Sequence, residues 1–427
     1  MGSSGRLPEY RCRVCASEDA HLILDLGTVP LANGFVGPDD PDADATRHPL
    51  TLVQCRSCAM VQIREIVPPE ELFSSYLWVS GTSRTLLDYT KWFARRLAAR
   101  VSPEGGVAPF LVEAASNDGS MLAACRDEGF DVLGVDPSDV TSVANERGLT
   151  TIRDFFGTAV AERIVEERGR ADVVVARNVI GHVAEPNDLV GGIRTVLAPG
   201  GRALIETPYA LRLRDDLQYD TIFHEHVCYL TIGSLSGLLE RHGLRIVDLT
   251  FVRMNGGSFL AEAVHADAAD RDGARSVLDL EEILELNRPR GWEGFTAQVQ
   301  QQRAGLRRML GDFRDAGETV VAYGAAAKFM TMLNYCGITP DLVAACGDAN
   351  ERKQGLLCPG VRIPVESPGE LMARDPDVVL IGAWNFRDEI VSFFRNELGY
   401  AGRFIVPLPV PHVIEVDRGR DAGPRAQ

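Results

Sequence analysis

Residues 222–230, IFHEHVCYL, set His224, Glu225 and His226 into an otherwise apolar segment. Histidine titrates near neutrality, and an adjacent carboxylate can orient the ring and raise its basicity, so the triplet suits proton transfer by a general base. A metal site is the first rival, but adjacent residues rarely converge on one ion without ligands from elsewhere. A solvated loop fits poorly with Phe223, Val227, Tyr229 and Leu230 on either side. His182, in ARNVIGHV, offers a second polar ring for the same pocket.

Four cysteines form two hooks, Cys12 and Cys15 in CRVC and Cys55 and Cys58 in CRSC. Two Cys-x-x-Cys hooks can close a tetrahedral thiolate shell around zinc, which in structural sites takes four ligands and leaves no open position. The rival is a redox pair, but thioredoxin-like chemistry expects one such motif beside a βαβ unit, not two in a segment poor in core residues. Structural Zn2+ is therefore expected on Cys12, Cys15, Cys55 and Cys58.

A third constellation lies in PFLVEAASNDGSML: a strand ending at Glu113, a tight loop of small residues, then a helix beginning near Ser120. Strand, turn and helix N-terminus together place backbone N–H groups around a ligand. The loop lacks the Gly-x-Gly-x-x-Gly of dinucleotide sites. Its order of Glu113, Ala115, Asn117 and Gly119 fits a relaxed first motif of class I methyltransferases, which bind S-adenosylmethionine (SAM). Ser116, Asp118 and Met121 complete the candidate loop. Asp136, followed by Pro137, ends the next strand, where a carboxylate can accept ribose hydroxyls. Asp154 and Phe155 fall where adenine would lie, and Asn178 ends a further strand.

These residues need elements to hold them. From Phe110 to about His265, strands rich in Val, Ile and Leu alternate with helical patterns, the signal of βαβ units on a parallel sheet. Residues 275–316 read as a polar helical connector. A second alternation runs through TVVAYGAAAK, DLVAACGDAN, DVVLIGAWN and RFIVPLP. The expected organisation is an α/β protein with a zinc-binding segment at 1–75, a Rossmann-like SAM domain at 76–265, a connector at 266–315, a smaller α/β substrate domain at 316–412 and a frayed tail at 413–427. A chain of 427 residues exceeds what one core normally supports, which agrees with that division. The net charge of −16 argues against nucleic acid or an anionic membrane as partner, and no apolar run is long enough to span a bilayer. The start, MGSSGRLPEY, lacks a signal-peptide core, so a cytoplasmic location is expected, with reduced cysteines and a monomer favoured.

Taken in order, CRVC, CRSC, YLWVSGTS, EAASNDG, GVDPS, ARNVIGHV, YDTIFHEHVCYL, YGAAAK with LNY, and AWN resemble the zinc-containing, SAM-dependent C-methyltransferases of nucleotide-linked deoxysugars in antibiotic biosynthesis. The resemblance implies methylation of a carbon next to the 4-keto group of a thymidine-diphosphate (dTDP) sugar. It implies His226 as the base that generates an enolate, Glu225 as its orienting partner, His182 close to the sugar, and His224 as part of the same triplet. It also places Tyr76, Trp78, Ser80, Ser83 and Phe223 near the sugar. In YGAAAK, a strand, small-residue turn and helix start carry Lys328, well suited to a diphosphate, with Tyr323, Asn334 and Asn385 nearby. Two departures stand out: Phe223 and Trp78 occupy positions where tyrosine is usual in that family. Losing a donor to an enolate oxygen can cost about 3 kcal/mol of barrier. An isomerase, epimerase or cyclising enzyme that keeps the base without methyl transfer is therefore the alternative reading.

Overall fold

A computed structural model describes residues 10–40, 46–68, 72, 84–101 and 106–415. Tyr76, Trp78, Ser80 and Ser83 lie outside the described residues. The chain forms two compact units: the first holds Met1–Leu22, Val53–Leu211 and Glu225–Trp292, the second Ile23–Leu52, Arg212–His224 and Glu293–Gln427. The chain crosses between them inside β1 (Ala20–Val29) and β2 (His48–Cys55), and again between His224 and Glu225.

In the first unit, β3 (Val61–Ile63) follows the second Cys hook. The parallel strands β4 (Phe110–Ala114), β5 (Asp131–Val135), β6 (Thr151–Ile152), β7 (Ala171–Arg177) and β8 (Leu197–Pro208) come next. The short β9 (Cys228–Tyr229) pairs with β3. The antiparallel pair β10 (Leu244–Val252) and β11 (Ser258–His265) then completes a seven-stranded sheet of order β10-β11-β8-β7-β4-β5-β6. β4 is buried throughout and β7 nearly so, as expected for parallel strands covered on both faces. Helices Arg84–Ala98 and Ser120–Asp127 pack Phe93, Leu97, Leu122 and Cys125 onto Leu111, Val173 and Val175. The carboxyl ends of β4, β5 and β7 thus stand on an apolar base.

The second unit carries a six-stranded sheet, order β14-β13-β12-β15-β16-β17, from β12 (Val320–Tyr323), β13 (Cys346–Gly347), β14 (Val365–Glu366), β15 (Val378–Ile381), β16 (Arg403–Val406) and β17 (His412–Glu415). All neighbours are parallel except β16 and β17. Its core is aromatic: Tyr323, Phe394, Tyr400 and Phe404 interlock edge to face around Val379 and Ile381, a geometry aromatic quadrupoles favour. The polar helical stretch read as a connector contains Arg275–Ile283, in the first unit, and the longer Phe295–Asp315, in the second. No helix among the described residues is long and apolar enough to cross a membrane.

Candidate active site

The first unit brings the four cysteines together. Their Sγ atoms all lie within 4.8 Å of one another, with Cys12 to Cys58 and Cys15 to Cys55 each at 3.5 Å. A Zn–S bond of about 2.3 Å in a tetrahedron sets sulfurs about 3.8 Å apart, so the cage has the right size for zinc. Each hook closes by the same turn: Ala16 N–H donates to the Cys12 carbonyl and Ala59 N–H to the Cys55 carbonyl, with both alanines at positive φ. The buried Gln62 donates to the Cys12 sulfur and to the Tyr10 hydroxyl. The Asn187 amide donates to the carbonyls of Arg13 and Val14, tying the first hook to the helix Pro186–Val196. Four sulfurs this close cannot all ionise against one another without a cation, which a divalent metal supplies.

At the end of β4, the loop 115–119 alternates into the left-handed region at Ala115 (φ 60), Asn117 (φ 49) and Gly119 (φ 76). Glycine is needed at 119, where a Cβ would stand 2.8 Å from Leu149 Cδ1. It is needed again at 134, where a Cβ would meet the Ser116 hydroxyl at 2.4 Å. The loop is drawn against β5 by Ala115 N–H on the Val135 carbonyl and by Asn117 N–H on Asp136 Oδ2. The other Asp136 oxygen accepts from Ser138 N–H. A carboxylate has about four acceptor positions, so Asp136 retains capacity for a hydroxyl. Glu113 Oε2 and Ser116 Oγ are sealed from solvent with no hydrogen-bond partner among the described residues. Burial pushes the Glu113 carboxyl up to about 8, with Arg177 opposing and Asp136 and Asp118 adding to the rise. A buried acid with an unmatched oxygen beside an unmatched serine hydroxyl fits the cationic methionine end of SAM. Glu113, Ser116, Asn117, Asp118, Gly119 and Asp136 are the residues that would hold it.

Met121 is placed differently from the sequence expectation. It is 3% exposed and belongs to the core with Phe93 and Leu122, so it supports the loop from beneath. Pro137 turns the chain after Asp136. Asp154 is half-buried and paired with Arg163, and Phe155 is 60% exposed, an apolar face open to a planar ligand. Asn178, at positive φ after β7, accepts at Oδ1 from Asn255 and donates its N–H to the Glu206 carbonyl.

Sequence reading puts Arg177 at this edge but misses its partners Glu206 and Tyr89. Arg177 and Glu206, facing partners on β7 and β8, form a buried ion pair at 2.8 Å. Tyr89 donates to the same Glu206 oxygen, and the guanidinium lies over the Tyr89 and Phe93 rings. Asn255 was also missed; its signal is the Gly-Gly turn in MNGG, which permits the tight return into β11.

Beside Asn178, Gly181 carries the loop to within reach of the histidine segment. Its carbonyl accepts from both Val227 N–H and Cys228 N–H, and a Cβ there would meet the Cys228 carbonyl at 3.1 Å. That clasp sets His182 against His226: ring centroids 4.6 Å apart, planes at 87°. Tyr229 closes on the other edge of His226 at 6.4 Å. Desolvation lowers His182 to about 4, against the opposing pull of a backbone hydrogen bond with Glu225. Glu225 is buried.

The residues of the triplet do not share one setting. His224 falls in the second unit, where its Nε2 lies 2.9 Å from the Pro49 carbonyl and its ring stands edge to face with His48. The chain turns at His224 and Glu225 rather than running on as a strand, and the two histidines keep different partners. Phe223 is buried, like its apolar neighbour Ile222.

In the second unit, β12 ends at Tyr323, whose ring is committed to the aromatic core and packs on Phe393 and Phe394. Asn334 spends both amide hydrogens on the carbonyls of Met330 and Pro359, a structural use of a residue expected at the substrate. The turn after Tyr323 is braced by Asp348, which accepts from Ala325 N–H, and by Lys353, which donates to the Ala325 carbonyl. Lys328 and Asn385 do meet: the ammonium donates to Asn385 Oδ1 and lies 4.4 Å from the Trp384 ring centroid. Burial pulls Lys328 down to about 8, with Asp220 opposing.

The strand order, the loop after β4 and the buried acid at its head define a class I SAM-dependent methyltransferase with an added cysteine cage and a second α/β unit. Comparison with known proteins agrees along the chain. Residues 12–73 match a family model described as "Putative zinc binding domain", residues 88–249 a methyltransferase domain, and residues 253–409 a C-methyltransferase C-terminal domain. The C-methyltransferase NovU of Streptomyces niveus is 34% identical over 417 residues, 96% of this chain and 98% of its own. A ubiquinone biosynthesis O-methyltransferase of Acinetobacter baylyi is 25% identical over 171 residues, 35% of this chain and 70% of its own. The solved glycopeptide N-methyltransferase MtfA in complex with SAM is 18% identical, covering 41% of this chain and 94% of its own, with a TM-score of 0.33. The chain belongs to the zinc-containing C-methyltransferase family that includes NovU.

Proposed function

We propose that this C-methyltransferase methylates a carbon next to the keto group of a dTDP-linked 4-keto-deoxysugar, with His226 as the base. The observation that carries the reading is the His182–His226 pair held by the Gly181 clasp. His182 titrates far below neutrality, so at working pH it is a neutral neighbour that does not repel a proton arriving on His226. The ketone acidifies the adjacent C–H bond; His226 takes that proton, and the electron pair left on carbon delocalises into the keto oxygen as an enolate. Bound SAM supplies a methyl group activated by a sulfonium for attack by that carbon. The chain's own work is to hold the cofactor on loop 115–119, to place the base and to keep water from the enolate. Glu225 orients the His226 ring, and His224, fastened to Pro49, positions the segment. Lys328 and Asn385 are assigned to the sugar nucleotide's diphosphate. Phe223, buried and apolar where the resembling family carries tyrosine, offers no hydroxyl to the sugar.

The test is incubation of the purified protein with methyl-labelled SAM and a panel of dTDP-4-keto-deoxysugars, read by mass spectrometry. The reading requires a product heavier by one methyl group and release of S-adenosylhomocysteine. A product of unchanged mass that takes up solvent deuterium would instead mark an isomerase or epimerase on this scaffold.

A further inference from the structure

Across the Trp384 ring from Lys328, at the indole N–H edge, lies a residue that neither the sequence reading nor the reaction uses. Asp220 sits in the short 3-10 turn Tyr219–Thr221, is 0% exposed, and accepts the Trp384 indole N–H on Oδ2 at 2.6 Å. Its Oδ1 is sealed from solvent with no hydrogen-bond partner among the described residues. The Lys328 ammonium lies over the ring that Asp220 anchors and donates to Asn385, the next residue of the Trp384–Phe386 turn. A buried carboxylate is costly unless its charge is offset, and here it is offset by Lys328 first, then by the Trp384 indole and the backbone N–H groups of Asp220 and Thr221.

We propose that Asp220 is a positioning residue for the Lys328 cation: it fixes the indole on which the ammonium rests and supplies its counter-charge, so that Lys328 is presented as a cation to a phosphate group. This rests on the reading that Lys328 meets the nucleotide diphosphate. Asp220 is the charged group acting on Lys328, and Lys328 the one acting on Asp220. The other titratable groups close to Asp220 are Tyr219 and Cys336. Both are pushed up by burial, Cys336 to about 11 and Tyr219 well above its ordinary range, so they stay neutral. Removing the Asp220 charge therefore lowers the pH at which Lys328 gives up its proton.

The experiment is calorimetric titration of thymidine diphosphate into the full chain between about pH 6.5 and 9, for wild type, Asp220→Asn, Trp384→Phe, Lys328→Met and the double variant Asp220→Asn/Lys328→Arg. Wild-type affinity should fall as pH passes about 8. Asp220→Asn should fall about one pH unit earlier, which makes it roughly tenfold weaker on the alkaline limb and no weaker near pH 6.5. The double variant, with a guanidinium that does not titrate in this range, should be flat. Trp384→Phe keeps the counter-charge and loses the anchor, so it should weaken binding evenly without moving the limb, and it reads out the proposal if Asp220→Asn does not fold. An unshifted limb in Asp220→Asn, or an even loss at every pH, overturns the counter-charge; wild-type affinity in Trp384→Phe overturns the anchor. Unchanged affinity in Lys328→Met would remove the phosphate reading itself, a separate failure.

Discussion

The His182 and His226 rings meet edge to face at 4.6 Å because the Gly181 carbonyl holds both Val227 and Cys228 N–H groups. The pair lies in the unit that carries the cofactor loop, while His224 lies in the other. That arrangement is what supports the proposal of His226, rather than His224, as the base.

His226→Ala should lower kcat by about 10²–10⁴-fold, the range of general base catalysis, and leave SAM affinity unchanged by calorimetry. Solvent exchange of the substrate's α-proton should vanish with it. Exchange at the wild-type rate in His226→Ala would assign the base elsewhere.

His182 also predicts an acid limb of stability. Its folded value of about 4 lies below the ordinary 6.5, so the folded state disfavours its protonation. The stability it contributes is complete above about pH 6.5 and is lost as pH falls toward 4. Urea midpoints at pH 7 and pH 5 should differ more in wild type than in His182→Asn, and parallel shifts in both would refute the assignment.

Glu113 carries the opposite sign. Its folded value of about 8 exceeds the ordinary 4.5, so its contribution is intact below about pH 4.5 and is lost as pH rises through 8. Glu113→Gln should match wild type at acid pH, exceed it in stability at pH 9, and bind SAM more weakly. Such a trade of stability for function is typical of site residues; a variant less stable than wild type at pH 9 would contradict it.

The Arg177–Glu206 pair makes a packing prediction. Removing one partner leaves a buried charge unmatched, so Arg177→Met or Glu206→Gln should each cost about 3–5 kcal/mol, measured by denaturant unfolding. The double variant should cost clearly less than the two losses added together. Strict additivity would show that the pair does not couple.

The cysteine cage predicts about one zinc per chain by atomic emission. Chelation or Cys12→Ser should lower the thermal midpoint and make the N-terminal segment protease-sensitive. A metal-free wild type that melts unchanged would exclude a structural metal.

How much of this could be read before folding depends on the range of the interaction involved. The two Cys hooks, the loop from Glu113 to Gly119 and the alternation of strands and helices are local patterns. Each is set by a few consecutive residues whose spacing already implies a turn, a cap or a buried strand. Ala115 shows the limit even there: it stands at positive φ, a left-handed conformation that an alanine does not announce and only coordinates locate.

Composition and short-range spacing by themselves determined that this is an α/β chain with a thiolate cage, a SAM loop and a histidine able to act as a base. Tertiary structure decided which side chains reach those groups. It sent Tyr323 into an aromatic core and Asn334 onto backbone carbonyls, fastened His224 to Pro49, closed Tyr89 and Glu206 on Arg177, and set Asp220 at the N–H edge of Trp384. The physical reason is that periodicity reports the face on which a residue sits, whereas a buried partner is chosen by packing between segments tens to hundreds of residues apart. Those contacts form only when the whole core closes.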